Sequence, residues 1–263
     1  MKYFDSHAHF YDARFDDEYE GSVEDLIDAL LSSEISAIVN VGTSPDSCRR
    51  AIAQAKRHEN MYTALGIHPS DSYEIDTPLD VALADVESLI RDGANKCLAL
   101  GEIGLDYHWH DTNLEHQKRY FDAQMTLARE LDLPVVIHDR EAHEDVINVM
   151  RAHKGVRGVL HSFSGSAEMA KEVLKLGYMI SFSGTLTFKN ARKPEEVARI
   201  APHDMILIET DCPYLAPHPK RGTLNHSGNL VYTNARLADI WGIGAEECAQ
   251  ITDTNARRFF GLK

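Results

Sequence analysis

Asp5-Ser6-His7-Ala8-His9 places two imidazoles one residue apart. Tyr3-Phe4 and Phe10 flank the stretch, which predicts a short buried strand. Side chains alternate along a strand, so His7 and His9 project from the same face. Two neutral imidazoles at a strand end make half of a site for zinc, iron, manganese or a related ion. An H-x-H pair alone is often a surface accident. The weight comes from a pattern that repeats down the chain, a titratable residue directly after a buried apolar run. His68 closes Gly66-Ile67-His68, Glu102 sits in Gly101-Glu102-Ile103-Gly104, and His138 follows Val135-Val136-Ile137. His161 follows Val159-Leu160, and Asp211 follows Leu207-Ile208-Glu209-Thr210. Any one of them reads equally as a satisfied buried histidine or, for Asp211, as a helix cap. Together they read as one metal centre.

The elements that must position them alternate. Candidate strands are Tyr3–His9, Ala37–Gly42, Tyr62–His68, Cys97–Leu105, Pro134–His138, Gly158–Phe163, Tyr178–Ser183 and Ile206–Thr210. Amphipathic stretches separate them. Ser22 opens a helix with a capping-box-like start. Ser44-Pro45 opens another with serine at the cap and proline at the first helical position, and Thr77-Pro78 is expected to do the same before Leu79–Ile90. Further helices are expected over Leu114–Leu131, Glu141–His153, Ser166–Leu176, Glu195–Ile200, Thr233–Trp241 and Ala245–Phe260. A strand followed by a helix, repeated about eight times in a chain of this size, is the rhythm of an α/β protein of the (β/α)8 TIM-barrel type, expected as a single domain over 1–263. An open doubly wound sheet is disfavoured, since no G-x-G-x-x-G follows the first strand. A barrel also collects its functional groups at the C-terminal ends of several strands, where these residues fall.

The 263 residues can bury a sizeable core. Nothing resembles a transmembrane span or a secretion signal, and the four cysteines form no C-x-x-C pair, so a cytoplasmic location is expected. The formal charge of −14 argues against wrapping extended nucleic acid but leaves room for a local pocket that grips one or two phosphates.

These stretches resemble the TatD-type metal-dependent deoxyribonucleases, a branch of the amidohydrolase-like metal barrels. The matching segments are Asp5-Ser6-His7-Ala8-His9, Gly66-Ile67-His68-Pro69, Gly101-Glu102-Ile103-Gly104-Leu105-Asp106-Tyr107, Ile137-His138, His161-Ser162-Phe163-Ser164-Gly165 and Glu209-Thr210-Asp211-Cys212-Pro213-Tyr214-Leu215. The resemblance implies two divalent ions, with magnesium, manganese and zinc as candidates. His7 and His9 would hold one with help from Glu102 and Asp211. Glu102, His138 and His161 would hold the second, with Glu102 bridging. Two ions roughly 3.5–4 Å apart can clamp a phosphodiester. Asp211 would also act as general base.

The implied activity is hydrolysis of DNA from a single-stranded or frayed end, in the 3′-to-5′ direction. The alternative keeps the site and changes the bond, to that of an ester or amide, as in a metal-dependent hydrolase such as a D-aminoacyl-tRNA deacylase acting on misacylated tRNA. A non-enzymatic barrel is disfavoured, because several buried ionisable groups without an ion would cost stability. No membrane and no obligatory protein partner are expected.

For substrate contacts, the resemblance suggests His68 at a phosphate or leaving group. Arg221 is a candidate phosphate ligand, with Arg140, Lys189, Arg192 and Lys220 as further loop cations. Tyr107-His108-Trp109-His110 is read as a substrate-facing loop, with Tyr107 or Trp109 offering a stacking surface, rather than as a rival metal pair. One departure stands out. After the eighth strand the family usually reads Arg-Gly, two residues, then Asn-Glu-Pro. Here Arg221-Gly222 and Asn225 fit, but His226-Ser227 replaces Glu-Pro. That leaves the shape of this loop open.

Overall fold

The computed structural model describes residues 1–109 and 113–263. Eight parallel strands run in sequence order: β1 (Tyr3–Ala8), β2 (Ile35–Gly42), β3 (Met61–Leu65), β4 (Cys97–Asp106), β5 (Val135–Arg140), β6 (Gly158–Leu160), β7 (Met179–Phe182) and β8 (Ile206–Ile208). The last joins the first through backbone just beyond it. Ala8 and Cys212 form a parallel bridge, His9 N donates to Cys212 O at 2.8 Å, and Asp211 N donates to His7 O at 2.9 Å. The result is a nearly closed (β/α)8 barrel. Its outer helices are α1 (Ala13–Glu18), α2 (Val23–Ser32), α3 (Pro45–Ala55), α4 (Leu79–Arg91), α5 (Leu114–Leu131), α6 (His143–Ala152), α7 (Ala167–Lys175), α8 (Arg192–Ile200), α9 (Leu230–Trp241) and α10 (Ala245–Phe260).

The helix starts follow from side-chain oxygens that satisfy the orphan N–H groups of a first turn. Ser22 accepts from Asp25 N, Ser166 from Met169 N, and Ser44 makes a reciprocal capping box with Ser47 ahead of Pro45. Thr77-Pro78 behaves differently from the expectation. Pro78 itself occupies the cap position, with φ −55° and ψ 149°, α4 starts at Leu79, and no side chain caps it. Short α1, capped by Asp12, was not legible from periodicity. The strands β3, β6 and β8 stop earlier than the apolar runs suggest, so His68, His161, Glu209 and Asp211 lie in the backbone just past them.

Two apolar layers sandwich the sheet. One joins the strands to the surrounding helices. The other takes buried residues from all eight strands, Phe4, Val39, Ala64, Ala99, Val136, Val159, Met179 and Leu207 among them, together with the end of α10. This second cluster is the barrel lumen. Phe259 and Phe260 close it at the N-terminal end of the strands, where Phe4 stacks on Phe260 at 5.7 Å.

Lumen position then predicts site position, because side chains two apart share a face. Ala64 leads to Gly66 and His68, Val136 to His138, Val159 to His161, and Leu207 to Glu209 and Asp211. Strands β1 and β4 would fail this count, since Phe4 and Ala99 have the wrong parity for His7 and Glu102. Each carries a register irregularity that corrects it, between Asp5 and Ala8 in β1 and between Leu100 and Ile103 in β4.

Strand approach around β4 depends on missing side chains. A Cβ on Gly101 would lie 2.7 Å from Val136 Cβ. Gly104 has φ +137°, and a Cβ there would lie 2.0 Å from His138 O. Gly104→Ala combines forbidden backbone geometry with a clash against the strand that carries His138. It should lower stability by at least about 2 kcal/mol. Gly93→Ala, where an added Cβ meets nothing within 4 Å, serves as the control. Urea unfolding should show a clear drop in midpoint for the first and little change for the second.

Candidate metal centre

Glu102 is the hub at the C-terminal end of the lumen. Its Oε1 lies 2.8 Å from His138 Nδ1 and 2.8 Å from His161 Nε2. Its Oε2 lies 3.3 Å from His7 Nε2 and 3.7 Å from His9 Nε2. Asp211 Oδ1 joins the second group, 3.4 Å from His9 Nε2 and 3.7 Å from His7 Nε2. One carboxylate therefore divides the cluster into two donor sets, one per oxygen.

The outward nitrogens of most imidazoles are engaged. His9 Nδ1 donates to Val41 O at 2.7 Å. His138 Nε2 donates to Asp106 Oδ2 at 3.0 Å. His161 Nδ1 lies 3.2 Å from Glu209 Oε1, and Glu209 also accepts from Ser181 Oγ. Such outer partners hold a ring with its other nitrogen aimed inward. His7 is the exception, with a buried Nδ1 that has no hydrogen-bond partner. His68 Nε2 is 3.6 Å from Glu102 Oε1, while its Nδ1 accepts from Ser70 N at 3.1 Å. That acceptance leaves the proton of the neutral ring on Nε2, so His68 presents a donor to the site.

Charges follow from this packing. Burial pushes the Glu102 carboxyl up, but His161, His68, His7 and the His138 hydrogen bond outweigh it and hold it well below the usual range. Burial likewise opposes ionisation of Asp211, yet His9 and the other imidazoles hold its carboxyl low. Asp106 falls to about 2, its burial overcome by hydrogen bonds from His138 and two backbone N–H groups. Burial disfavours the imidazolium forms of His9, His138 and His161. The neighbouring carboxylates reverse that and raise all three, His161 furthest. His7 is lowered, by burial and then by His161. His68 falls to about 3 through burial, so it stays neutral.

The donor set fits a cation. The His7 and His9 Nε2 atoms lie 3.0 Å apart and can share at most one proton. Three groupings of donor atoms, His7-His9-Asp211, His7-Glu102-His161 and His68-Glu102-His138, each fall within 4.8 Å. Converging imidazole lone pairs and ionised oxygens of this kind suit zinc, manganese or a similar ion.

A family model described as TatD related DNase matches residues 4–261. The chain belongs to the TatD family. It is 38% identical over 261 residues to YabD of Bacillus subtilis, covering 98% of this chain and 99% of that protein. It is 34% identical over 247 residues to TatD of Mycobacterium tuberculosis, covering 92% of each. Both carry the name uncharacterized metal-dependent hydrolase. The crystal structure of the TatD homologue YjjV from Escherichia coli superposes with a TM-score of 0.89 at 29% identity, covering 99% of this chain and 98% of the other. The chain is thus a metal-dependent hydrolase.

In this TatD-family barrel, His7, His9, Glu102, His138, His161 and Asp211 all meet at one point, and His68 joins them. Arg221 does not. It is exposed at the rim, its guanidinium 4.1 Å over the Phe188 ring. Of the other cations expected in loops, Lys189 and Lys220 do lie in loops, while Arg140 ends β5 and Arg192 opens α8; all four are exposed. His108 pairs with Glu141 and Trp109 is 68% exposed, while His110 lies outside the described residues. The His226-Ser227 departure reaches further inward than a surface loop. Ser227 Oγ donates to buried Asp5 Oδ2 at 2.7 Å, beside Thr210 Oγ1 at 2.6 Å. Sequence reasoning assigned no role to Asp5, Asp106 or Glu209. The signal for the last two was present, since both lie in quoted strand-end segments as acids near a ligand candidate.

Raised imidazole pKa values have a consequence for binding. His9, His138 and His161 hold protons more tightly than an ordinary histidine at 6.5, and a cation needs their neutral forms. Ion binding should therefore release protons, and affinity should rise with pH from about 6.5 upward. Titration calorimetry with Mn2+ in two buffers of different ionisation enthalpy checks this. Identical heats, with affinity constant between pH 6 and 8, would contradict the assignment.

Proposed function

We propose that this TatD-family hydrolase cleaves phosphodiester bonds of DNA from a single-stranded or frayed end, using two divalent ions. The observation that carries the reading is the division of donors between the two oxygens of Glu102. The Oε2 side would take His7, His9 and Asp211, and the Oε1 side His138 and His161. Bound divalent ions supply Lewis-acid stabilisation of the phosphoryl charge and activate water at neutral pH.

The protein's own residues do the rest. Asp211 is the acid of the cluster nearest solvent, with its side chain 16% exposed against 5% for Glu102. It stays ionised, so it can accept the proton of an attacking water as general base. Its backbone adopts φ +56°, a left-handed conformation that costs a non-glycine residue of order 1 kcal/mol. The bond from Asp211 N to His7 O holds it there. Glu102 keeps both donor sets in one fixed relation. His68, neutral and with its proton on Nε2, can donate to a non-bridging phosphate oxygen or the leaving group. Arg221 on Phe188 offers a cation at the rim, where the next phosphate of a strand could lie.

The choice of DNA follows the description of the matching family and the 3′-to-5′ direction follows the resemblance. An acidic chain with one deep site suits attack at an end better than grip along a duplex. An end-labelled single-stranded oligonucleotide, followed over time with Mg2+, Mn2+ or Zn2+ and a chelator control, tests the reading. A ladder shortening from the 3′ end is expected. Asp211→Asn should lower the rate at least about a hundredfold while keeping the fold by circular dichroism. Full activity in that variant would remove Asp211 from the mechanism. No cleavage with any metal would move the substrate to the ester of aminoacyl-tRNA.

A further inference from the structure

Asp106 ends β4 and is buried, and its two carboxylate oxygens face different groups. Oδ2 accepts from His138 Nε2 at 3.0 Å. Oδ1 accepts two backbone N–H groups, from His108 at 2.9 Å and from Trp109 at 3.0 Å. The Asp106 main chain is itself clamped by a side chain of α5. Gln117 Oε1 accepts Asp106 N at 2.8 Å, and Gln117 Nε2 donates to Asp106 O at 2.8 Å. The carboxylate is therefore fixed from behind and engaged on both oxygens.

The ring of His138 is used in the less common sense, with Nδ1 toward Glu102 at 2.8 Å and Nε2 outward. A neutral imidazole offers one lone pair and one N–H. For Nδ1 to offer its lone pair to a cation, the proton must sit on Nε2, and an acceptor must hold it there. Asp106 Oδ2 is that acceptor. We propose that Asp106 is a positioning residue that fixes the tautomer of His138 and, through its other oxygen, the turn that presents Trp109. Trp109, 68% exposed, follows β4 at the same barrel end. Its indole is a surface on which an unpaired base can stack. One carboxylate thereby fixes a metal ligand and a substrate platform relative to each other. The inference rests on the reading of His138 as a ligand.

The double engagement makes Asp106→Asn a sharp test. The two N–H groups of the turn need an acceptor, so they keep the amide oxygen on their side. The amide NH2 then faces His138 Nε2, which must accept, and the proton moves to Nδ1. The turn survives and the ligand is lost. Zn2+ affinities, measured by chelator competition on the full-length protein, should fall about 10–100-fold for one ion in Asp106→Asn and stay unchanged for the other. His138→Ala should lose the same ion. Trp109→Ala should bind both ions as wild type while raising KM for a single-stranded oligonucleotide. Long-range 1H–15N spectra of the zinc-loaded wild type should show His138 protonated on Nε2, a readout that does not depend on how any variant folds. Wild-type zinc affinities in Asp106→Asn beside a loss in His138→Ala would overturn the inference, as would a proton on Nδ1 in the wild type. Unaltered affinities in His138→Ala would overturn the ligand reading and this inference together. None of the zinc readouts involves DNA, so a failed nuclease assay is separable from them.

Discussion

Everything at the open end of this barrel answers to one constraint. A single buried carboxylate, Glu102, must stay ionised among His7, His9, His138 and His161 while keeping an oxygen for each of two donor groups. Burial alone would neutralise it. The surrounding imidazoles prevent that, and the same exchange raises His9, His138 and His161. In the absence of a cation, protons on these rings balance the acids. A bound ion replaces them, so occupancy and protonation are alternatives for one pocket. The outer partners Val41 O, Asp106 and Glu209 then decide which nitrogen of each ring faces inward.

The strand count, most helix starts and the convergence of six residues on one candidate metal centre were legible in the sequence, because each depends on short-range pattern. Capping serines, apolar runs and acids or histidines at their ends are local facts. What was not legible depends on register. Counting by twos from Phe4 or Ala99 puts His7 and Glu102 on the wrong face, and only the irregularities in β1 and β4 bring them inward. Nothing in the letters marks those irregularities. The glycines come closest, since Gly101 and Gly104 bracket the shift in β4 and neither position has room for a Cβ. The roles of Asp5, Asp106 and Glu209 were missed for a related reason. An acid beside a ligand candidate looks the same in sequence whether it binds an ion, caps a helix or orients a ring.

The closing seam of the barrel shows how a departure from the family pattern is absorbed. Asp5 Oδ1 accepts Thr210 N at 3.0 Å, and its other oxygen takes the hydroxyls of Thr210 and Ser227. Asn225 Nδ2 reaches Thr210 O at 2.9 Å and Tyr214 O at 2.7 Å from the same loop. Ser227 thus gives Asp5 a further donor. Burial still raises the Asp5 carboxyl to about 6, so each hydroxyl matters to keeping it charged. The seam lies between His7 and Asp211, and its bonds run to residues beside both. Loop and candidate metal centre are thereby tied together through Asp5 and Thr210.

The claim at the centre of this account is that Glu102 serves two cations at once. Metal content by mass spectrometry, on wild type and Glu102→Ala after loading with Mn2+ and removal of excess ion, tests it most directly. Wild type should retain two ions per chain, and the variant, with its fold confirmed by circular dichroism, should lose affinity for both. Equal stoichiometry in the two proteins would show that the donor sets stand independently and that Glu102 is not a bridge.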